Sequence, residues 1–461
     1  MDNRLYWIWL SLACGQGSRL AIDLLCSLGG PEAIFRADRS ALAEALGKED
    51  LPILNRLENK KMTHAKEILK QCEESGVGIL TPDNDAYPKA LYQLRDAPAV
   101  LYYRGKLPDF DSRCACAVVG TRKMSEGGKK NAYDIGRGLG AGGAILVSGL
   151  ALGCDGMAMA GALSTGGVTV GVLGCGIDVI YPHEHEHLMK RVLEEGAILT
   201  ECPPGTPPLG SNFPKRNRII SGLCDAVVVV EGDKKSGSLI TAHHALYQGR
   251  DLCAVPGSIQ DPGAAGPNGL LLHGARAVTS AVDILRKYEF LYNDTLNLEA
   301  TAYELTRSNS CEDVNDVAAR MKVTASEDKK YYGAGLYGGS GTARVRVAPF
   351  IKKKEKTAKT IPPEKMVERF RENKADPKDA AVAHKEHIEL DMLGETEKKI
   401  YAALVPDVPM LADDIQVNGV EMPALLAGLT MLELSGAIEC GAGGYFMRRS
   451  ADISKLDDTE E

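Results

Sequence analysis

Ala115-Cys-Ala-Val-Val-Gly-Thr-Arg122 is an apolar run that ends in a glycine turn and a cation. Its apolar residues show no polar alternation, so a strand built from them is buried on both faces, as in a parallel sheet covered by helices. The pattern recurs at Ala144–Val147, Val168–Leu173, Ala226–Val230 and Leu252–Val255, each followed by a small or glycine-containing turn and separated by helix-length segments. An α/β fold with an extended Rossmann-like parallel sheet is expected over residues 81–290. In open sheets of this kind ligands bind at the carboxyl ends of the strands, where strand order reverses.

Flanking segments read differently. Residues 1–80 have the spacing of short helices, including Leu20–Leu28, a helix entered through Pro31, Ala41–Leu46 and Met62–Cys72. The Gly15-Gln-Gly17-Ser turn is similar to that of a SAM/helix-hairpin-helix-like unit, which can hold a phosphate at a helix N-terminus; it equally suits a purely structural bundle, the commoner case. Residues 291–390 lose the pattern. Tyr331–Ser340 is low in complexity, and residues 344–374 carry eleven Lys/Arg against four Glu, the composition of a solvated tether with some capacity for nucleic acid. Order returns at 391–450: helices are expected at Glu395–Leu404, Met410–Val417 and Met422–Leu434, then a two-stranded turn over Ala437–Met447, a winged-helix pattern. Residues 391–461 hold five Lys/Arg and fourteen Asp/Glu, including an acidic tail at 451–461. A duplex-reading module is normally basic, so a protein contact or autoregulation is the expected role, with Arg448 and Arg449 leaving DNA contact open.

The 461 residues exceed what one core serves. At 44% hydrophobic and 25% charged the composition is globular, and 49 glycines suggest many tight strand-to-helix turns. Twelve scattered cysteines without a C-x-x-C, several inside apolar runs, suit reduced thiols and a cytoplasmic location. No signal peptide and no membrane span are expected.

Against a net charge of −8, Phe213-Pro-Lys-Arg-Asn-Arg218 is locally basic. Cations neutralise phosphates and an aromatic face stacks on an unpaired base, which points to single-stranded nucleic acid. Arg122 is expected at a helix start facing a phosphate. Ser148, Gly149 and the N–H groups after them could grip an oxyanion, and Asp155 either caps the next helix or braces the loop. Ser236-Gly-Ser238 repeats the arrangement behind Lys234 and Lys235. The full G-x-G-x-x-G is absent after the first strand, which argues against a dinucleotide cofactor, and no G-x-S-x-G supports serine hydrolysis. His183-Glu-His-Glu-His187 throws its imidazoles apart, so a solvated helix start is expected in place of a metal site. His243 and His244 are read as structural.

These residues together resemble the DNA-processing protein A family (DprA, also called Smf). The likeness runs from Tyr87-Pro88 to Leu285 through Gly120-Thr-Arg122, Ser148-Gly-Leu-Ala151 with Gly153 and Asp155, Gly174-Cys-Gly176, Tyr181-Pro182, Phe213-Pro-x-Arg-Asn-Arg218, Glu231, Ser236–Ala242, Gly249-Arg250, Pro256-Gly257 and Gly274-Ala275. It implies a non-catalytic, homodimeric protein without cofactor. Such a protein protects single-stranded DNA and helps load the RecA recombinase during natural transformation (competence) and recombination. By position, Arg122, Ser148, Gly149, Phe213, Arg216, Asn217, Arg218, Ser236, Gly237 and Ser238 would line the strand, with Lys215 an added cation. Leu152 stands where many members carry a basic residue, and Met159 where a His is frequent. A nucleotide-processing enzyme of the phosphoribohydrolase-like Rossmann group is the alternative; its Pro-Gly-Gly loop and Glu have no paired counterpart in Pro203-Pro-Gly205 or Pro256-Gly257.

Overall fold

The structure is a computed structural model and describes residues 2–47, 52–307, 361–372, 394–404, 410–412, 415, 417–434, 438–441 and 445–447. The central sheet holds β1 (Gly78–Leu80), β2 (Leu101–Gly105), β3 (Ala115–Val119), β4 (Ile145–Ser148), β5 (Thr169–Leu173), β6 (Ala197–Thr200), β7 (Ala226–Val229), β8 (Asp251–Ala254) and β9 (Arg276–Ala277). Their order is β1-β2-β6-β5-β4-β3-β7-β8-β9. Strands β3 to β9 run parallel, and β3 sits between β4 and β7 with Ala117 opposite Val147 and Val227. All five residues of β3 and of β5 are buried, as unalternating strands require. The edge departs from the expected all-parallel sheet: β2 pairs antiparallel with β6, and β1 with β2. The sheet therefore begins at Gly78, three residues before the expected boundary.

Helices α7 (Glu126–Ala141), α8 (Cys154–Ser164), α9 (Glu186–Glu195), α10 (Asn212–Gly222), α11 (Ser238–Tyr247), α12 (Ala265–Leu272), α13 (Ala281–Leu285) and α14 (Leu298–Arg307) flank the sheet. Some of the glycine excess serves packing. A side chain at Gly136 or Gly161 would overlap the carbonyl of Ala158 or Tyr133, so α7 and α8 touch backbone to backbone, offsetting the ~1 kcal/mol a helical glycine costs.

The chain's start forms α1 (Asn3–Cys14), α2 (Leu20–Leu28), α3 (Pro31–Arg36), α4 (Arg39–Leu46), α5 (Pro52–Glu58) and α6 (Thr63–Ser75). They bury Trp7, Ile8, Leu24, Leu25, Ile34 and Leu42 in a core continuous with that of the sheet. The Gly15–Gly17 turn packs toward the sheet: the Gly17 N–H donates to Glu201 at 3.4 Å and the Cys202 thiol to Gln16 at 3.4 Å.

Two helices fall inside the stretch read as a flexible linker, and both are docked. Helix α14 lies on α7, where buried Arg137 donates to the Glu304 carbonyl at 2.6 Å. The helix Pro363–Glu372 buries Met366, Val367 and Phe370, with the Phe370 ring 4.9 Å from Tyr92. Apolar residues at i, i+1 and i+4 give it a face to bury. Tyr331–Ser340 and Lys352–Lys354 lie outside the described residues.

The C-terminal unit holds helices Glu395–Ala403 and Met422–Leu434, and strands β10 (Met410–Leu411), β11 (Glu439–Gly441) and β12 (Tyr445–Met447) in the order β10-β12-β11. Ile400, Leu425, Leu429, Leu432 and Phe446 form its own core. Met410–Leu411, expected to open a helix, is a strand because it pairs with Tyr445 and Phe446. Arg448, Arg449 and the acidic tail lie outside the described residues. Cys14, Cys26, Cys72, Cys114, Cys116, Cys154, Cys175, Cys202, Cys224 and Cys253 are free and buried. Among those residues no helix is long and apolar enough to cross a membrane.

Candidate nucleic-acid interface

Strand order reverses at β3: the chain steps through β4, β5 and β6 on one side and β7, β8 and β9 on the other. The carboxyl ends of β3, β4, β5 and β7 therefore border one crevice. The loops that leave them carry Arg122, Gly149–Leu152, Gly174–Cys175 and Ser236–Ser238.

The β4 loop is braced from within. The Ser148 hydroxyl is fully buried and donates to the Val118 carbonyl at 2.7 Å, and the Gly149 N–H donates to Asp155 at 3.0 Å. Both expected oxyanion donors are thus occupied, and Asp155 braces the loop. Burial pushes the Asp155 carboxyl above its usual range, against the pull of Arg216. Leu150 adopts a φ of 55°, uncommon for a side chain of its size. Its carbonyl contacts His185 Nδ1 at 2.8 Å.

That contact corrects the reading of the histidine run. His183 and His187 are exposed, but His185 is buried under the loop, and burial holds its pKa below the ordinary 6.5. A lowered folded pKa means the unfolded chain takes up the proton first, so stability is present above 6.5 and is lost as the pH falls through that value. Urea denaturation at pH 7.5 and 5.5 should show a smaller difference for His185→Gln than for wild type. An equal difference would exclude His185 as the source.

The basic segment lies on α10. At 100° per residue Phe213, Arg216 and Asn217 share one side, while Lys215 and Arg218 turn away. Arg216 is buried and donates to the carbonyls of Gly149, at 2.8 Å, and Val172. Burial lowers its pKa, opposed by Asp155. Arg218 is 1% exposed, with Nη2 2.5 Å from Glu201 and Nε 3.5 Å from Asp96. It does not face a strand: a guanidinium turned into the interior is retained only when paired. Lys215 is exposed, and Asn217 donates to the Gly237 carbonyl at 3.5 Å, linking α10 to the Ser236–Ser238 turn. There the hydroxyls of Ser236 and Ser238 bond each other at 2.8 Å, with Ser238 buried.

Half-buried Phe213 is the hub. The exposed Arg122 guanidinium lies 5.8 Å and the Arg216 guanidinium 5.9 Å from its ring centroid, within cation–π range. The Tyr181 ring stands 5.4 Å away. A side chain at Gly174 would come within 2.9 Å of the Phe213 ring, so only glycine admits it there. An open cleft results, walled by Arg122, Ala151, Leu152, Leu173, Tyr181 and Phe213. Arg122 is not at a helix start: α7 begins at Glu126, capped by Ser125, which accepts from the Gly128 N–H. Leu152 gives the cleft an apolar wall, whereas Met159 is fully buried in α8. Tyr181 was not among the expected site residues; only its place beside Pro182 in the family likeness marked it.

The sequence model of the family described as DNA recombination-mediator protein A matches residues 78–289, a span that contains the whole crevice. The DNA processing protein DprA of Bacillus subtilis is 41% identical over 220 residues, covering 48% of this chain and 74% of its own length. The protein of the same name from Streptococcus pneumoniae is 43% identical over 207 residues, covering 45% of this chain and 73% of its own. Protein Smf of Escherichia coli is 42% identical over 219 residues, 47% of this chain and 58% of its own length. An X-ray structure of DNA processing protein A from Streptococcus pneumoniae superposes with a TM-score of 0.50 at 36% identity, covering 54% of this chain and 87% of that one. With the sheet, the crevice and relatives matched over nearly three quarters of their length in agreement, the chain belongs to the DprA/Smf family of DNA recombination mediators.

Proposed function

We propose that this protein binds and protects single-stranded DNA along the carboxyl edge of its sheet and passes it to the RecA recombinase during DNA uptake and recombination. The observation that carries the reading is the exposed Arg122 guanidinium beside the half-buried Phe213 ring. One supplies charge for a phosphate and the other a face for an unpaired base, a pairing a duplex cannot use because its bases are stacked. Arg122, Phe213, Asn217, Ser236 and Gly237 would touch the strand, with Lys215, exposed on the far side of α10, adding charge nearby. Ser148, Gly149, Arg216 and Ser238 would support it from beneath. Action by binding and not catalysis, a homodimer, a cytoplasmic location, a helical unit ahead of the sheet that starts at Gly78 and a winged helix over 391–450 complete the proposal. The acidic C-terminal unit would meet a protein partner in preference to duplex DNA.

Titration of the full chain with single-stranded and duplex oligonucleotides of equal length tests it. Tighter binding of the single strand is expected. Equal affinity for both, or none for either, would refute the reading.

A further inference from the structure

Glu231 follows β7 and is buried at the same crevice, yet no strand-contacting role falls to it. Its carboxylate accepts from the Ser125 N–H at 3.1 and 3.2 Å and from the Ser125 hydroxyl at 3.2 Å. Its backbone carbonyl accepts from the Thr121 N–H at 2.6 Å. One residue therefore ties both ends of the Thr121–Ser125 segment, and Arg122 lies between the ties. The Ser125 hydroxyl, its proton directed at Glu231, keeps a lone pair for the Gly128 N–H at 2.9 Å and so caps α7. Space has been cleared for the carboxylate: a side chain at Gly128 or Gly263 would collide with it. A carboxylate at the start of a sixteen-residue helix also occupies the place where such folds offer N–H groups to a phosphate.

Resting on the single-strand reading above, we propose that Glu231 is a positioning residue: a two-point clamp that holds the β3–α7 loop so that Arg122 projects over Phe213. Arg122 is 5.8 Å from that ring without any ion pair of its own to fix it among the described residues, so the loop beneath must supply the aim. Glu231 acts through Arg122 and touches no DNA.

The test is a double-mutant cycle on single-strand affinity with Glu231→Gln, Arg122→Ala and the pair, joined to amide hydrogen exchange of Thr121–Ser125 without DNA. Glu231→Gln keeps the side chain's shape and removes its charge. It should weaken single-strand binding about tenfold, speed exchange at Ser125, and cost nothing further once Arg122 is alanine. An equal loss in both backgrounds would mean a general structural role and overturn the proposal, as would unchanged affinity or exchange. Should Glu231→Gln not fold, Ser125→Ala removes the hydroxyl bond to the carboxylate, loosens the same tie in part, and is read the same way. If wild type fails to bind single strands, the parent reading falls while the exchange measurement still decides the clamp.

Discussion

Arg218→Ala is expected to lower stability by about 3–5 kcal/mol, the usual cost of breaking a buried ion pair from one side. The guanidinium is 1% exposed and meets Glu201 at 2.5 Å, and Glu201 also takes the Gly17 N–H of the N-terminal helices. Alanine leaves that carboxylate buried without a counter-charge. Burial already pushes Glu201 above the usual carboxylate range, so it would be neutral more readily than an exposed acid. A group raised in the folded state favours folding below its pKa, so the deficit should shrink as the pH falls toward the carboxylate range. Denaturant unfolding at two pH values measures this, and pairing Arg218→Ala with Glu201→Gln should recover much of the loss. A stable Arg218→Ala protein with weakened DNA binding would instead return Arg218 to the strand, as the bare sequence suggests.

Phe213→Ala is expected to cost about 1–3 kcal/mol of single-strand affinity, the worth of one stacked base, while leaving the salt dependence of binding unchanged. The ring carries no charge, so no counterion is released through it. Its neighbours make the substitution informative: Arg122 and Arg216 flank it and Tyr181 stands beside it, so its loss empties the centre of the cleft. Equilibrium titration at several salt concentrations separates this from Arg122→Ala, which should remove one phosphate contact and flatten the log–log slope by about 0.7. Thermal unfolding of both variants guards against a general loss of fold.

The central sheet was legible because its strands are buried on both faces: Ala115–Val119 appears in the structure with the bounds its composition suggests. Ala197–Thr200 was not, since four residues between acidic neighbours carry too little pattern. Antiparallel β1 has only three residues, and β2, Leu101–Gly105, ends in the polar Arg104 and a glycine. At the crevice, the exposure of Arg122 and the half-burial of Phe213 follow from residue type and place in the chain, although Arg122 precedes the helix start expected for it. The roles of Arg216 and Arg218 do not. Both stand in one basic segment around Asn217, and only the turn of α10 sends Arg218 to Glu201, 17 residues away, and to Asp96 in another loop. Ser148 misled for the same reason, its acceptor on β3 being 30 residues distant. The helix Pro363–Glu372 was masked by its own charge: Met366, Val367 and Phe370 form an apolar face inside a stretch dominated by Lys, Arg and Glu.

The proposed interface rests on one claim: that Arg122 meets a phosphate at the open edge of the sheet. The salt dependence of single-strand affinity, taken side by side for wild type and Arg122→Ala, reads that contact. A slope shallower by about 0.7 in the variant is the predicted result; parallel lines for the two proteins would contradict it.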